Sequence, residues 1–167
     1  MKDIEIGINV EELYRRLFAE SGYISMSRSA MGLPDRLVET MQATDDERRI
    51  IDNWIRSSIN EITHTINRFL APCSMKYYKN DDSSTEYIIS FKAPHNYPNE
   101  AVMMLQECAA DLTFRRTKQQ WYMSVKPDEA SITASEAQDD AIRLRELLTL
   151  RSRPIYKRGT ADKIIEL

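Results

Sequence analysis

The stretch DDERRIIDNWIRSSINEITHTINRFL, residues 45–70, decides the fold. Its isoleucines recur at steps of three and four residues, which places side chains on one face of an α-helix over about seven turns of about 3.6 residues. Thr44 and Glu47 form the pattern of a capping box ahead of it, and Pro72 lies just beyond its end. These signals predict a helix over residues 45–70. Its predicted apolar face consists of Ile51, Ile55, Ile59, Ile62, Ile66 and Phe69, with Trp54 alongside.

A second helix is predicted over residues 98–122. Pro98 suits the first turn of a helix, where its missing N–H has no partner in any case. The apolar stripe of this region is rich in small residues, which allow close approach of a neighbouring helix. The stripe consists of Ala101, Val102, Leu105, Cys108, Ala109 and Leu112, with Met104 at its margin.

The last predicted helix follows a loop around Pro127. Thr133 and Glu136 have the spacing of a second capping box, which predicts that the helix begins there and continues to about residue 150. Its apolar positions step by four, three and four residues. They are Ala137, Ala141, Leu144 and Leu148.

A β-hairpin is predicted between the first two of these helices, over about residues 73–91. Residues 75–79 and 86–91 are rich in tyrosine and isoleucine, and the polar residues 80–84 between them have the composition of a hairpin loop. Two strands alone are marginal in water. We therefore expect their apolar face to pack on the helices or on another subunit.

The amino-terminal region, residues 1–43, is predicted to contain one short helix and an arm. Asn9 is a suitable cap for a helix that reaches Phe18 or Ala19 and ends before Gly22. Residues 21–34 have the composition of an irregular segment. The first five residues alternate charge with isoleucine and lack the long apolar run of a secretory signal.

The fold class predicted from these patterns is mainly α. It is a helical bundle of three to four helices with a small two-stranded β-hairpin insert and an extended C-terminal tail. Three regions are expected: the helix and arm in residues 1–43, the helical core in residues 44–150, and the tail in residues 151–167.

Composition sets the broad class of the protein. Hydrophobic residues make up 42% of the 167 residues, enough for one core, and the net charge of −3 gives no global attraction to nucleic acid or to an anionic membrane. No stretch approaches the roughly 20 apolar residues of a membrane span. Cys73 and Cys108 are too far apart in sequence for a redox pair, which favours free thiols in a reducing cytoplasm.

Motifs for catalysis or metal binding are weak in this sequence. Glu61 and His64 have the spacing of half a di-iron site, but the other histidine, His95, lies in a proline-bounded region with no second such pair. The paired carboxylates at residues 45–46, 81–82 and 139–140 are explained by a cap, a turn and a solvated helix face. We expect no enzymatic activity, no metal and no cofactor.

Two basic segments are candidates for partner binding. Arg115, Arg116 and Lys118, with Trp121 and Tyr122 close by, are placed to lie near DNA, because cations contact phosphates and aromatic rings stack on bases. The alternative is structural, since cations near a helix end are favoured by the helix dipole and the two aromatic residues can close the core.

The tail is the second basic segment. Its apolar residues favour an extended segment that adds to a partner's surface, while the alternative is a solvated tail. The predicted partner-binding residues of the tail and of the hairpin are Arg151, Arg153, Ile155, Tyr156, Lys157 and Arg158, with Tyr77 and Tyr78.

The order of elements resembles that of bacteriophage head–tail connector, or adaptor, proteins, which are small, mostly helical and form a ring beneath the portal. The likeness covers roughly residues 44–158. The stretch beginning DDERRIID at residue 45 resembles the family's first element. Residues 100–122, with CAADL at residues 108–112, resemble the second, and residues 137–150 resemble the third.

The resemblance implies a structural protein of a phage or prophage. Copies would join head to tail into a homo-oligomeric ring between portal and tail proteins, through which DNA passes without specific contacts. It implies no catalytic residues, and it places the protein in the bacterial host cytoplasm and in the virion.

Two other functions remain open from the sequence. One is a small cytoplasmic helical module that binds nucleic acid or protein through the basic segments. The other is a helical-bundle enzyme, which would require a metal at Glu61 and His64.

Overall fold

The computed structural model describes residues 1–30, 47–70, 73–79 and 85–151, with side chains for residues 1–22, 47–70, 73–77 and 85–151. These residues form a mainly helical fold with a small antiparallel sheet, which confirms the predicted fold class. No helix within the described residues has the length and apolarity needed to cross a membrane. The elements are β1 Lys2–Asn9, α1 Val10–Ala30, α2 Arg48–Phe69, β2 Cys73–Lys79, β3 Thr85–Ala93, α3 Asn99–Val125 and α4 Pro127–Thr149.

The sheet has three described strands in the order β1-β3-β2, one more than the predicted hairpin. The strand missing from the prediction is β1, which pairs with β3 along its whole length. Ile6 of β1 lies opposite Ile89, and Met75 of β2 lies opposite Ile89 on the other side. Ile4, Ile6 and Ile8 of β1 are all buried, so the third strand completes an apolar face that two strands could not provide.

Helix α1 begins as predicted and ends later than predicted. The Asn9 side-chain oxygen accepts a hydrogen bond from the Glu12 backbone N–H at 3.1 Å, which confirms the cap. The helix then passes through Gly22 to Ala30, so the predicted end before Gly22 and the irregular segment over residues 21–30 were wrong. A glycine within a helix costs roughly 1 kcal/mol relative to alanine and does not by itself end the helix. Residues 31–34 lie outside the described residues.

Helix α2 follows the predicted periodicity. The five isoleucines of its apolar face are buried, Trp54 is partly buried, and only Phe69 at the carboxyl end is more exposed than predicted. The helix begins at Arg48, with Glu47 at the cap position, and ends at Phe69. Thr44, the first residue of the predicted capping box, lies outside the described residues.

A single residue, Lys126, separates helix α3 from helix α4. Pro127 takes the first position of α4 with Asp128 and Glu129 in its first turn, so the predicted start near Thr133 was wrong. The Thr133 hydroxyl instead donates to the Glu129 carbonyl at 3.0 Å inside the helix. A threonine followed three residues later by glutamate therefore does not mark a helix start when proline has already begun the helix.

The described elements form three layers. The apolar face of the sheet packs on α2 and α3, with β1 against α3 and with β2 and β3 against α2. Helix α4 packs along α3, with a smaller contact to α2 and no extensive contact with the sheet, and α1 lies against α3 and β3. Within the described residues, one face of α4 is therefore left to solvent on the side opposite the sheet.

Candidate functional site

A polar pocket lies where the first turns of α1 and α2 meet the strands β2 and β3. Its volume is about 270 Å³. We call it the arginine pocket, after three arginines of α2. The residues that line it are Val10, Glu11, Tyr14, Arg48, Arg49, Asp52, Asn53, Arg56, Tyr77, Thr85 and Tyr87.

The periodicity of α2 explains how the pocket forms. Its polar lining residues are spaced by three, one and three residues, so they share one side of the helix while the isoleucines share the other. The opposite wall comes from the register of the hairpin, in which Tyr77 lies directly across from Tyr87. Burial of the isoleucine face therefore fixes which polar side chains reach the pocket. These side chains are Arg49, Asp52, Asn53 and Arg56.

Tyr14 is the most constrained side chain of the pocket. Its hydroxyl donates to Asp52 Oδ1 at 2.5 Å and lies 2.9 Å from the Arg48 carbonyl oxygen. The Arg48 guanidinium stacks 4.5 Å from the centre of the Tyr14 ring and pairs with Glu11. Burial, followed by the hydrogen bond to the Asp52 carboxylate, raises the pKa of Tyr14 above its ordinary value. Tyr14 is therefore a neutral donor that joins α1 to α2.

Arg49 and Arg56 are the cations of the pocket that remain available to a partner. Within the described part of the chain, neither forms a salt bridge with a carboxylate, and Arg56 Nε donates only a long hydrogen bond of 3.4 Å to the Tyr87 hydroxyl. Tyr77 is 54% exposed and packs edge-on against Tyr87 with ring centres 5.0 Å apart. Guanidinium groups bind carboxylates and phosphates through paired N–H donors and stack on aromatic rings. This arrangement suits an anionic partner.

The lining of the pocket favours binding over catalysis. Neither histidine nor cysteine is among its lining residues, and its most perturbed group, Tyr14, is shifted away from the ionised form. General acid–base catalysis near neutral pH needs a group that titrates close to that pH. The residues that line the pocket suit the recognition of charge and of aromatic surface.

The three cations predicted to lie near DNA each form an ion pair within the chain. These pairs are Arg115 with Asp140 of α4 at 2.8 Å, Arg116 with Glu61 of α2 at 3.2 Å, and Lys118 with Glu20 of α1. Each cation thus ties α3 to a different helix.

The aromatic residues near these cations are also part of the structure. The side chains of Trp121 and Tyr122 are buried, which removes their faces from stacking on bases.

Glu61 and His64 are not brought together with a further ligand. Glu61 is engaged by Arg116, while His64 is exposed and lies near Arg145. Within the described residues, no group of three or more residues of the metal-ligating types gathers at one point. His95 lies elsewhere, with its Nε2 atom 2.6 Å from the amino-terminal nitrogen of the chain.

The two cysteines lie on different elements and are free. Cys108 of α3 is buried against α4, where its thiol donates to the Asp140 carbonyl at 3.4 Å. Burial, with the nearby Asp140 charge, raises the pKa of Cys108 to about 11. Cys73 of β2 is partly buried, and burial also raises the pKa of its thiol. Protonated thiols are poor nucleophiles, so neither cysteine is activated.

The predicted partner-binding residues are only partly within the described structure. Tyr77 lines the arginine pocket, and Arg151 is exposed and donates to the Leu148 carbonyl at 3.1 Å. The side chain of Tyr78 lies outside the described residues, as do Arg153, Ile155, Tyr156, Lys157 and Arg158.

Sequence reasoning did not select Arg49 and Arg56. The signal was present in the polar face of α2, but the wall formed by Tyr77 and Tyr87 depends on strand register.

Comparison of the chain with models of protein families, with characterised proteins and with solved structures gives no significant match. The function is therefore argued from the geometry of the molecule.

Proposed function

We propose that the protein is a phage or prophage structural protein, a head–tail connector or adaptor that assembles into a ring between portal and tail. The observation that carries the proposal is the arginine pocket. Arg49, Arg56 and the exposed ring of Tyr77 are held at its surface, where α2 is anchored by its buried isoleucines. Such a surface is suited to binding a protein partner, because arginine and tyrosine are enriched where interfaces are strongest.

The helical layers suit a rigid structural subunit. Ion pairs from a single turn of α3, at Arg115, Arg116 and Lys118, reach α4, α2 and α1, so charge links the helices in addition to the apolar core. The order of elements is a helix, a hairpin and two further helices. This order supports the proposal because it resembles that of the connector family. In this proposal the tail beyond Arg151 engages a neighbouring virion protein, and DNA passes the ring without base-specific contacts.

Electron microscopy of the purified chain mixed with the portal protein encoded in the same genome tests the proposal. The expected result is a ring with an open centre, seated on one end of the portal. The variant Ile155→Asp with Tyr156→Asp should bind the portal less tightly, because it removes apolar residues of the tail. Arg68→Glu, a change on the exposed face of α2, is the matched control and should bind normally. A chain that neither forms rings nor binds the portal contradicts the proposal.

The alternative function is a small cytoplasmic nucleic-acid-binding or protein-interaction module. It has less support, because Arg115, Arg116 and Lys118 are all engaged by carboxylates. A gel shift with short duplexes at rising salt separates the two functions, since tight binding that weakens steeply with salt supports the alternative. Metal analysis of the purified protein tests the enzyme hypothesis.

A further inference from the structure

The solvent face of α4 carries two isoleucines among polar and acidic residues. Ile132 is 58% exposed and Ile142 is 45% exposed, and neither lies at an end of the helix. Steps of four and three residues connect them to exposed polar residues along a single line. The line runs Asp128, Ile132, Ser135, Asp139, Ile142 and Glu146.

This line has the pattern of a helix that meets a partner. Single exposed apolar residues are ordinary on a protein surface. Here both isoleucines fall on the alternating four- and three-residue steps that keep a seam facing another element. Within the described residues, Asp128, Asp139 and Glu146 form no salt bridge, and no other element packs extensively on this side of α4.

The arginine pocket matches the second half of this line in charge and in spacing. Arg49 and Arg56 are seven residues apart on α2, and Asp139 and Glu146 are seven residues apart on α4. Seven residues of helix span about 10.5 Å at about 1.5 Å per residue, so two carboxylates of one copy can meet two guanidinium groups of another at once. Ile142 lies between the two carboxylates, three residues after the first and four before the second.

Two arginines of α4 flank this face, and both are exposed. Burial raises the pKa of the Asp140 carboxyl, and Arg143, which lies nearby on the same helix, opposes that rise. Asp140 is buried on the side of α4 that packs on α3. Arg145 lies beside His64 of α2. The face between them presents the carboxylates of Asp139 and Glu146 on either side of Ile142, and neither carboxylate forms a salt bridge within the described residues.

The pocket also offers exposed hydrophobic surface. Tyr77 lines it and is 54% exposed. A tyrosine ring offers an apolar face to an isoleucine, and its hydroxyl and the neighbouring arginines offer hydrogen-bond donors to the carboxylates on either side of that isoleucine.

We propose that the face of α4 formed by Asp139, Ile142 and Glu146 in one copy docks on the arginine pocket of the next copy, at Arg49, Arg56 and Tyr77. This inference rests on the proposed ring and names its subunit interface. The two surfaces share no residue and no secondary-structure element, so the contact is head to tail. A contact of this kind repeats from copy to copy and closes a ring when the rotation permits.

Charge reversal tests the interface. The pocket variant is Arg49→Glu with Arg56→Glu, the face variant is Asp139→Lys with Glu146→Lys, and the combined variant carries all four changes. Sedimentation velocity up to millimolar concentration measures self-association, and circular dichroism checks that each variant is folded.

The control variant is Arg68→Glu with Lys92→Glu. It makes the same change of net charge as the pocket variant, at two exposed positions that line neither the pocket nor the face of α4. The control variant should match the wild type in self-association. A general effect of net charge would instead weaken the association of the control variant and of the pocket variant equally.

The pocket variant and the face variant should each associate at least about tenfold more weakly than the wild type, since like charges then oppose one another. The combined variant should regain association. Association of the wild type should also weaken as salt rises. The interface is overturned if the pocket and face variants lose association and a folded combined variant does not regain it. It is also overturned if the pocket and face variants both associate as strongly as the wild type.

Two further double variants test the interface if the combined variant does not fold. Lysine at position 139 would lie one helical turn before Arg143, and like charges at this spacing disfavour the helix. Lysine at position 146 lies in the last turn of α4, where the helix dipole favours a cation. Glu146→Lys is therefore paired with Arg49→Glu and with Arg56→Glu in turn. One of the two pairings should restore association, and restoration in neither overturns the interface.

The interface and the proposed function fail in different ways. Rings on the portal that persist in the folded face and pocket variants overturn the interface alone. A wild type that stays monomeric at millimolar concentration also overturns the interface, while the portal mixture decides the proposed function separately.

Discussion

Replacing Arg115 with methionine separates a structural role for the basic segment of α3 from a role in binding nucleic acid. Arg115 Nη1 lies 2.8 Å from Asp140 Oδ2 and Arg115 Nε lies 3.8 Å from Glu136 Oε2. The Asp140 side chain is 10% exposed and the Arg115 side chain is 34% exposed. The substitution keeps most of the side-chain volume and leaves the buried Asp140 carboxylate without the guanidinium that pairs with it.

The expected loss of unfolding free energy is about 2 kcal/mol. Removing one partner of a fully buried pair costs roughly 3–5 kcal/mol, and the exposed third of Arg115 lets water replace part of the interaction. Adding Asp140→Asn to the methionine variant should recover about 1 kcal/mol, because an amide is less costly to bury than an unpaired carboxylate.

The pH dependence has a defined sign. Burial raises the pKa of Asp140 above its ordinary value of 3.8, against the opposing effect of Arg115. The folded state therefore holds this proton more tightly than the unfolded state, and the contribution of Asp140 to stability falls as pH rises from the ordinary pKa through the raised one. Loss of Arg115 raises the pKa further. The deficit of the methionine variant should be largest near neutral pH and should shrink in acid.

Urea denaturation followed by circular dichroism measures these differences. Arg145→Met, at an exposed position of α4, is the matched control and should stay within about 0.5 kcal/mol of the wild type. An unchanged urea midpoint in the Arg115→Met variant, together with weaker binding of short DNA duplexes, refutes the structural role.

Three further predictions concern the sheet and the thiols. Ile6→Ala should lower the unfolding free energy by about 2–5 kcal/mol in urea denaturation, because Ile6 is fully buried; a loss below about 1 kcal/mol contradicts the strand β1. Gly7→Ala, on the outer face of β1, should change the same quantity by less than about 1 kcal/mol, since the three atoms nearest to a Cβ there all belong to the flexible Glu86 side chain; a larger loss contradicts that placement. Iodoacetamide labelling followed by mass spectrometry should modify Cys73 faster than Cys108 at pH 8, because burial raises the pKa of Cys108 to about 11; equal rates contradict that burial.

The helical core was predictable because its signals are local. The isoleucines of α2 repeat at helical spacing, and Pro72 and Pro98 lie near the boundaries of the elements beside them. Local signals also caused the errors. Gly22 indicated an end for α1 and Thr133 indicated a start for α4, but each lies within a helix that a stronger feature had already begun. These features are the Asn9 cap and Pro127.

The strand β1 shows what local patterns do not supply. Its isoleucines alternate with other residues as in a half-buried strand, but their partner β3 lies about 80 residues away in sequence. The arginine pocket depends on the same kind of distant contact, since it joins Arg49 and Arg56 of α2 to Tyr77 and Tyr87 across the hairpin. A charge such as Arg115 has no visible partner in the sequence, because its carboxylates come from another helix.

Native mass spectrometry of the wild-type protein over a series of concentrations tests most directly whether this chain is a self-assembling structural subunit. The expected result is a monomer that gives way, as concentration rises, to one closed oligomer with a single subunit number above two. A monomer at every concentration up to millimolar contradicts self-assembly through the chain's own surfaces.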